Sequence, residues 1–226
     1  MTMLRSLALV VLAGSVGAQA QTAASVLARM DKAAAAFRAM TGKLRKAEYT
    51  AILNDTSVEN GEIYLLRSGR KLLMRTEILD PEPRSIGFDD SRVQVYYPKI
   101  KTVQIYDLGR QRSLVDQFLV LGFGSSGAEL TRNYTVKLLG EEVVGGQRAS
   151  RLGLTPKSAQ VAEQIRGVEL WIPLEAGHPI QQKFLQPGGD YYLVTYSEVT
   201  INPPNVPESG FRLRLPPDVI PEYPQK

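Results

Sequence analysis

A chain of 226 residues without cysteine can build one large core, but it has no disulfide, thiolate metal ligand or cysteine nucleophile. Its 27 basic and 23 acidic side chains are interleaved, so no basic stripe suited to a phosphate backbone is visible. We therefore expect a single domain that does not bind nucleic acid.

The first twenty residues have the features of a secretory signal. Arg5 precedes a short apolar stretch, and Ala18 and Ala20 occupy the positions that a signal peptidase prefers. The apolar stretch is too short and too interrupted by glycine and serine to span a membrane. We expect residues 1–20 to be a signal peptide and residues 21–226 to form one mature domain in the periplasm.

One amphipathic helix is predicted directly after this signal. Ser25 can cap it and Gly42 can end it. Its apolar residues recur at helical spacing at Val26, Met30, Ala33, Phe37 and Met40.

Most of the remaining chain alternates between apolar and polar residues, which is the period of a β-strand. Short turn signals separate these stretches, as in an antiparallel meander. We count about eleven strands with two or three helices. The predicted strands cover 46–53, 63–66, 72–78, 92–97, 103–105, 134–139, 149–154, 167–172, 180–185, 191–201 and 211–215.

Some segments are apolar on every side. Strands 63–66 and 191–194 carry apolar residues on both faces, so the sheet must be covered on both or must curl around a cavity. A capping box at Ser113 opens a predicted short helix from Leu114 to Leu121 that is apolar almost all round, so it should cover apolar surface on more than one side. Another short helix is predicted over 158–165.

Two motifs suggest chemistry and are better explained as structure. Residues 122–127 fit G-x-G-x-x-G, but a dinucleotide site needs a strand before it and a helix after it, and no helix pattern follows promptly. We interpret the motif as a flexible exit from the short helix. His178 is the single histidine and lies in a turn, so it cannot build a usual zinc site. We expect no enzymatic activity, with no catalytic residue, metal or cofactor.

Arg67 shares its strand face with Ile63 and Leu65. One interpretation is a strand-end arginine that reaches water. The other is a donor inside an apolar concavity, bonded to carbonyl groups of whatever covers it. Arg75 is the rival for that second role.

The order of these elements resembles the LolA-type periplasmic lipoprotein carriers. By that likeness Arg67 falls where the family has an arginine that bonds to the lid, although Ser68 and Gly69 replace the proline that usually follows. The stretches that carry the likeness span nearly the whole mature chain: 30–32, 61–67, 85–90, 93–98, 154–157 and 211–219 with its Pro216-Pro217 step.

The resemblance implies a mainly β, α+β fold: an incomplete, strongly curved antiparallel β-barrel, covered by two to three helices that act as a lid over an apolar cavity. It also implies a function and partners. The cavity would shield the acyl chains of lipoproteins that an inner-membrane ABC transporter releases, and the carrier, a monomer by this likeness, would pass them to an outer-membrane acceptor. We expect Arg67 to latch the lid and the cavity to be lined by Met30, Phe37, Ile63, Leu65, Phe118 and Leu119.

Other branches of the same fold leave alternatives open. One is a binding module for a different lipid or amphiphile. Another is a periplasmic regulator that senses mislocalised lipid-bearing molecules and controls an anti-sigma factor, although such regulators usually have a second domain, for which we expect no room here. A hydrolase built on this scaffold would depend on His178. That residue is the single histidine and lies in a turn, which argues against a hydrolase.

Overall fold

The computed structural model describes residues 21–69, 71–89, 91–109 and 121–225. The predicted signal peptide and nearly all of the predicted helix from Leu114 to Leu121, including Phe118 and Leu119, lie outside these residues. Leu121 itself lies in a turn.

The described residues contain three α-helices, namely α1 (Ala23–Ala36), α2 (Gly127–Asn133) and α3 (Ala159–Gln164). The predicted helix over 158–165 is confirmed by α3. The first helix begins and ends earlier than predicted. Thr22 is its N-cap, and Ser25 closes a reciprocal capping box with it at 3.1 Å in both directions.

The predicted end of that helix at Gly42 is wrong, because Met40 and Gly42 lie in a strand. Phe37 already has extended backbone angles. The residues after it pair with strands on both sides, Met40 with Leu65 and with Ile201. Two ladders of backbone hydrogen bonds outweigh the helical spacing of a single methionine.

Twelve strands form one sheet in the described part of the chain, in the order β12-β6-β5-β4-β3-β2-β1-β11-β10-β9-β8-β7. Every neighbouring pair is antiparallel except β12 and β6. The strands are β1 (Ala39–Thr50), β2 (Asp55–Ser68), β3 (Lys71–Asp80), β4 (Arg84–Asp89), β5 (Arg92–Tyr97), β6 (Thr102–Asp107), β7 (Tyr134–Val144), β8 (Gln147–Pro156), β9 (Gly167–Pro173), β10 (Gln181–Leu185), β11 (Tyr191–Ile201) and β12 (Ile220–Glu222).

The predicted fold class is confirmed: the protein is mainly β, with a curved open sheet and helices packed against it. The predicted strand over 211–215 is wrong. Phe211 instead ends a 3-10 turn that begins at Glu208, and its ring is buried against the sheet. The chain pairs again only at β12, after the two prolines at 216 and 217, which have no N–H to donate to a ladder.

Both faces of the sheet are covered at the apolar strand 63–66, which is one of the two outcomes expected from its sequence. Ile63 and Leu65 point to the face that we call the inner face, where Phe37 packs against them. Tyr64 and Leu66 point to the outer face and pack around Phe211, which lies in the segment 202–219 between β11 and β12 that we call the C-terminal segment. The alternation of β2 therefore separates two cores, one under α1 and one under the C-terminal segment.

The inner face holds two hydrophobic clusters. The first joins Val26 and Met30 of α1 to β8, β9 and β10. The second surrounds Ile63 and Leu65. Among the described residues no helix has the length and hydrophobicity needed to cross a bilayer.

Candidate functional site

A cleft of about 670 Å³ opens between the end of α1, the end of β2 and the start of α2. It presents apolar and charged surface together. The apolar residues that line it are Ala34, Ala35, Phe37 and Ala128, and the charged ones are Asp31, Arg38, Arg67, Glu129 and Arg132. Such a surface suits a molecule with both an apolar and a polar part.

Residues 121–126, which we call the plug, border this cleft and fill the inner face. Leu121 is 1% exposed and belongs to the cluster around Met30, whereas Phe123 is 2% exposed and belongs to the cluster around Ile63. The plug thus connects the two inner clusters. The prediction of a flexible exit without a helix after it is wrong, because the plug is buried and α2 follows at once.

Two glycines let the plug backbone turn in this tight space. Gly122 has a φ of +82° and Gly124 a φ of +79°, in the left-handed region that favours glycine. A Cβ on Gly124 would lie 2.8 Å from the Cδ1 atom of Phe37. The glycines of the motif therefore serve close packing around Phe123.

Aromatic rings surround Phe123 on the inner face. The His178 ring lies nearly parallel to it, with 5.9 Å between centroids, and Tyr196 meets it edge to face at 5.1 Å. Phe37 approaches it at 6.4 Å. Such pairs add to the energy of area burial by about 0.5–1.5 kcal/mol each.

Polar groups fasten the plug at both ends. The buried Gln182 donates from Nε2 to the carbonyl of Leu121. Arg67 donates from Nη1 to the carbonyl of Gly124, and Asp31 accepts from the backbone N–H of Gly127 at 2.8 Å. We call these three contacts the clasp; they tie β10 and β2 to the plug, and α1 to Gly127, the residue that directly follows the plug.

A weaker contact supplements the clasp. The Nη2 atom of Arg67 lies 3.8 Å from Oε1 of Glu129, and both side chains are partly exposed. Glu129 also closes the capping box of α2 with Ser126. An exposed pair at this distance contributes less than about 1 kcal/mol, so the hydrogen bond to Gly124 dominates.

The sequence matches one family, described as the MucB/RseB N-terminal domain, over residues 23–161. The chain belongs to this family. No curated protein matches it significantly. The attribution to the LolA type within the wider group of similar folds stays a prediction.

Solved structures share the fold of this MucB/RseB-type domain. A crystal structure of MucB has a TM-score of 0.52 and 19% identity, covering 85% of this chain. The chain spans only 62% of the length of that MucB structure. A conserved protein of uncharacterised function from Thermus thermophilus has a TM-score of 0.56 and 17% identity, covering 90% of this chain and 99% of its own.

A third structure, of the Pseudomonas aeruginosa MucA/MucB complex, has a TM-score of 0.48 and 19% identity, covering 84% of this chain and 60% of its own. At 17–19% identity, the structures of MucB and of the Thermus thermophilus protein show the fold alone.

The predicted cavity residues occupy different places in this MucB/RseB-type domain. Met30 is buried in the first inner cluster, and Ile63 and Leu65 are buried in the second. Phe37 belongs to the second cluster and also lines the cleft. Since Phe118 and Leu119 lie outside the described residues, a single cavity lined by all six side chains stays a prediction.

Arg67 and Arg75 lie on opposite faces of the sheet. Arg67 reaches the plug, as described above. Arg75 donates from Nε to the carbonyl of Gly210 at 3.0 Å, and its guanidinium lies 3.9 Å from the centre of the Tyr64 ring. Arg75 therefore holds the C-terminal segment on the outer face. Of the two arginines, Arg67 is the one that contacts the plug.

Sequence reasoning missed Gln182 and Asp31 as clasp residues. Each is a polar side chain on an otherwise ordinary element, and its partner is a backbone group more than 60 residues away. No local pattern marks such a pair. The glycines on either side of Phe123 were the available signal, because a large aromatic between two glycines fits a buried tight turn as well as a mobile loop.

We expect acid to weaken the fold through His178. Its Nδ1 atom is buried without a hydrogen-bond partner. Burial lowers the pKa of His178 below its usual value, and a hydrogen bond to the Gly122 backbone offsets part of that shift. The unfolded chain then binds the proton more readily, so this contribution is fully present above a pH of about 6.5 and is lost as the pH falls below it.

The measurement is the urea midpoint of the parent and of His178→Gln at pH 7.5 and 5.5. His178→Gln removes the one histidine of the chain and leaves all 23 acidic side chains in place, so the difference between the two proteins reports on His178. The parent should lose more stability between the two pH values than the variant. Equal losses would remove His178 as the cause.

Proposed function

We propose that this MucB/RseB-type domain is a non-enzymatic periplasmic carrier that shields the acyl chains of lipoproteins from water. The acyl chains would enter the inner face in place of the plug. The observation that carries the proposal is the plug itself: it fills the inner face with the buried side chains of Leu121 and Phe123, and side chains of two strands, Arg67 of β2 and Gln182 of β10, donate hydrogen bonds to its backbone.

Magnitudes favour a long acyl chain over the plug. Burial is worth about 0.8 kcal/mol for each methylene of an acyl chain. Keeping Leu121 and Phe123 buried is worth about 1.5–3 kcal/mol for each side chain. An acyl chain therefore needs roughly four to eight buried methylenes to offset the burial of both side chains. Lipoprotein acyl chains exceed that length, whereas short amphiphiles do not.

The cleft supports the polar part of the same ligand. Arg38, Arg67 and Arg132 line it beside apolar residues of α1 and α2. A lipid headgroup or the N-terminal peptide of a lipoprotein needs such polar surface next to the apolar site. The inner-membrane ABC transporter that would load the carrier and the outer-membrane acceptor that would unload it are predictions of this role.

A second candidate function is envelope-stress sensing, and the family match favours it. In that role the same site binds a mislocalised lipid-bearing molecule, and the consequence is a changed affinity for a protein partner. The two functions share the binding step and differ in the step after it: a carrier gives its ligand up to an acceptor, whereas a sensor retains it.

The binding step is tested with the mature chain and a fluorescent long-chain fatty acid. We expect saturable binding of the sixteen-carbon probe, competition by a triacylated lipopeptide, and much weaker binding of a six-carbon probe, which has about ten fewer methylenes to bury in place of the plug. Absence of saturable binding of the long probe would contradict both candidate functions. Release of bound lipopeptide to acceptor vesicles carrying an outer-membrane extract then favours the carrier, and retention favours the sensor.

A further inference from the structure

The turn between β1 and β2 exposes two adjacent large aliphatic side chains. Ile52 is 92% exposed and Leu53 is 71% exposed, the two highest values among the exposed large hydrophobic residues of the described chain. Single exposed apolar residues are common on protein surfaces. Two neighbours at the point of a hairpin form an apolar tip, which is suited to inserting into another apolar surface.

The hairpin projects beyond β3, one of its two neighbours, whereas the other neighbour, β11, pairs with β1 as far as Tyr49 and Tyr191. β1 and β2 remain paired as far as Thr50 and Asp55. β3, however, pairs with β2 only as far as Asn60. The five residues from 55 to 59 therefore extend roughly 17 Å past the end of β3, at 3.3 Å per residue.

The tip is held in shape by the loop before β11. Asp190 accepts a hydrogen bond from the backbone N–H of Ala51 at 2.7 Å. The hydroxyl of Tyr49 donates to the side-chain oxygen of Asn54 at 3.0 Å. The exposed side chains therefore lie on a braced turn, which lowers the entropy lost when they insert into another surface.

Directly behind the tip lie groups that favour the interface of a bilayer. The rings of Tyr49 and Tyr191 stack with 5.0 Å between centroids, and Nζ of Lys183 lies 3.8 Å from the centre of the Tyr191 ring. Tyr49 precedes Ile52 by three residues, so the tyrosines lie at most about 10 Å behind the tip. Interfacial anchors bury their apolar residues about 5–10 Å deep, with aromatic and lysine side chains at the headgroups.

We propose that the β1–β2 turn inserts Ile52 and Leu53 into a lipid bilayer. Charges near the tip are of both signs, with no excess of basic groups: the lysines are Lys46 and Lys183, and the carboxylates are Glu48, Asp55 and Asp190. Insertion therefore depends on the apolar pair and needs no anionic lipid. This membrane contact is separate from the cleft and the plug, which are built on the opposite end of the β1–β2 hairpin.

The test is co-flotation of the mature chain with vesicles of phosphatidylcholine alone and of phosphatidylcholine with one third phosphatidylglycerol. The parent should bind both to a similar extent. The double variant Ile52→Ser with Leu53→Ser should lose at least about tenfold in partition coefficient, since each side chain loses the energy of its burial.

The matched control is the double variant Leu139→Ser with Val143→Ser, which removes two aliphatic side chains of 49% and 68% exposure on the edge strand β7. It should bind vesicles like the parent. Thermal unfolding is measured for all three proteins, and Ile52→Trp adds a direct reading, because insertion should shift its fluorescence to the blue in the presence of vesicles.

Several outcomes would overturn the proposal. They are a parent that binds neither vesicle, a tip variant that binds like the parent, binding that requires phosphatidylglycerol, or an Ile52→Trp spectrum unchanged by vesicles. A parent that binds neither vesicle would leave the tip as a contact for a protein. Long-chain probe binding without vesicles is measured on the same variants, so that failure of the acyl site is distinguished from failure of the membrane contact.

Discussion

Replacing Phe123 with alanine is expected to lower the free energy of unfolding by about 3–5 kcal/mol and to strengthen the binding of a long acyl chain. Phe123 is buried among aromatic rings on the inner face, so its removal leaves a cavity there. The same change removes the side chain that an acyl chain has to displace, a cost of about 1.5–3 kcal/mol. Affinity for the sixteen-carbon probe should therefore rise at least about tenfold.

The matched control is Phe211→Ala. Phe211 is as deeply buried as Phe123 but packs on the outer face against Leu66 and Leu73. We expect a similar loss of stability without a change in probe affinity. Urea unfolding and probe titration of both variants provide the comparison. An equal change of affinity in both variants would mean that general loosening of the fold, and not the vacated plug site, admits the probe.

The strand pattern predicted an antiparallel meander, because burial on one face imposes an alternation that is visible in the sequence, whereas the open, curved barrel covered by helices was implied by the family resemblance. The parity of Ile63, Leu65 and Arg67 placed all three on one face, and in the structure all three point to the inner face. The apolar run in β2 predicted either that both faces are covered or that the sheet curls around a cavity, and nothing local showed that Phe211 covers the outer face.

The wrong predictions concern segments whose conformation is decided by residues that are close in space but distant in the sequence. Met40 fits the helical spacing of α1, but its backbone pairs with two strands distant in sequence. The plug contains glycines, and glycine in a buried turn looks locally the same as glycine in a mobile loop. The partners that distinguish the two, Gln182 and Arg67, are about 60 residues away in opposite directions along the chain.

Replacing Arg67 with leucine should open the plug without unfolding the protein. Leucine keeps apolar bulk on the inner face but removes the donor to the Gly124 carbonyl, which is buried. A hydrogen bond to a charged donor is worth about 1.5–3 kcal/mol, and an unpaired buried carbonyl adds a similar cost. The closed, empty state loses this stabilisation, and it is the state that competes with the acyl chain for the inner face.

We therefore expect Arg67→Leu to bind the sixteen-carbon probe about tenfold more tightly and to release lipopeptide to acceptor vesicles more slowly. Arg75→Leu is the control, because it removes an arginine-to-carbonyl bond of the same kind on the outer face, at Gly210. That variant should lose stability and keep the parent's affinity and release rate. Probe titration and the vesicle-transfer rate test both variants. If Arg67→Leu binds and releases like the parent, Arg67 is an ordinary strand-end arginine; if only Arg75→Leu changes cargo exchange, the C-terminal segment and not the plug controls access to the inner face.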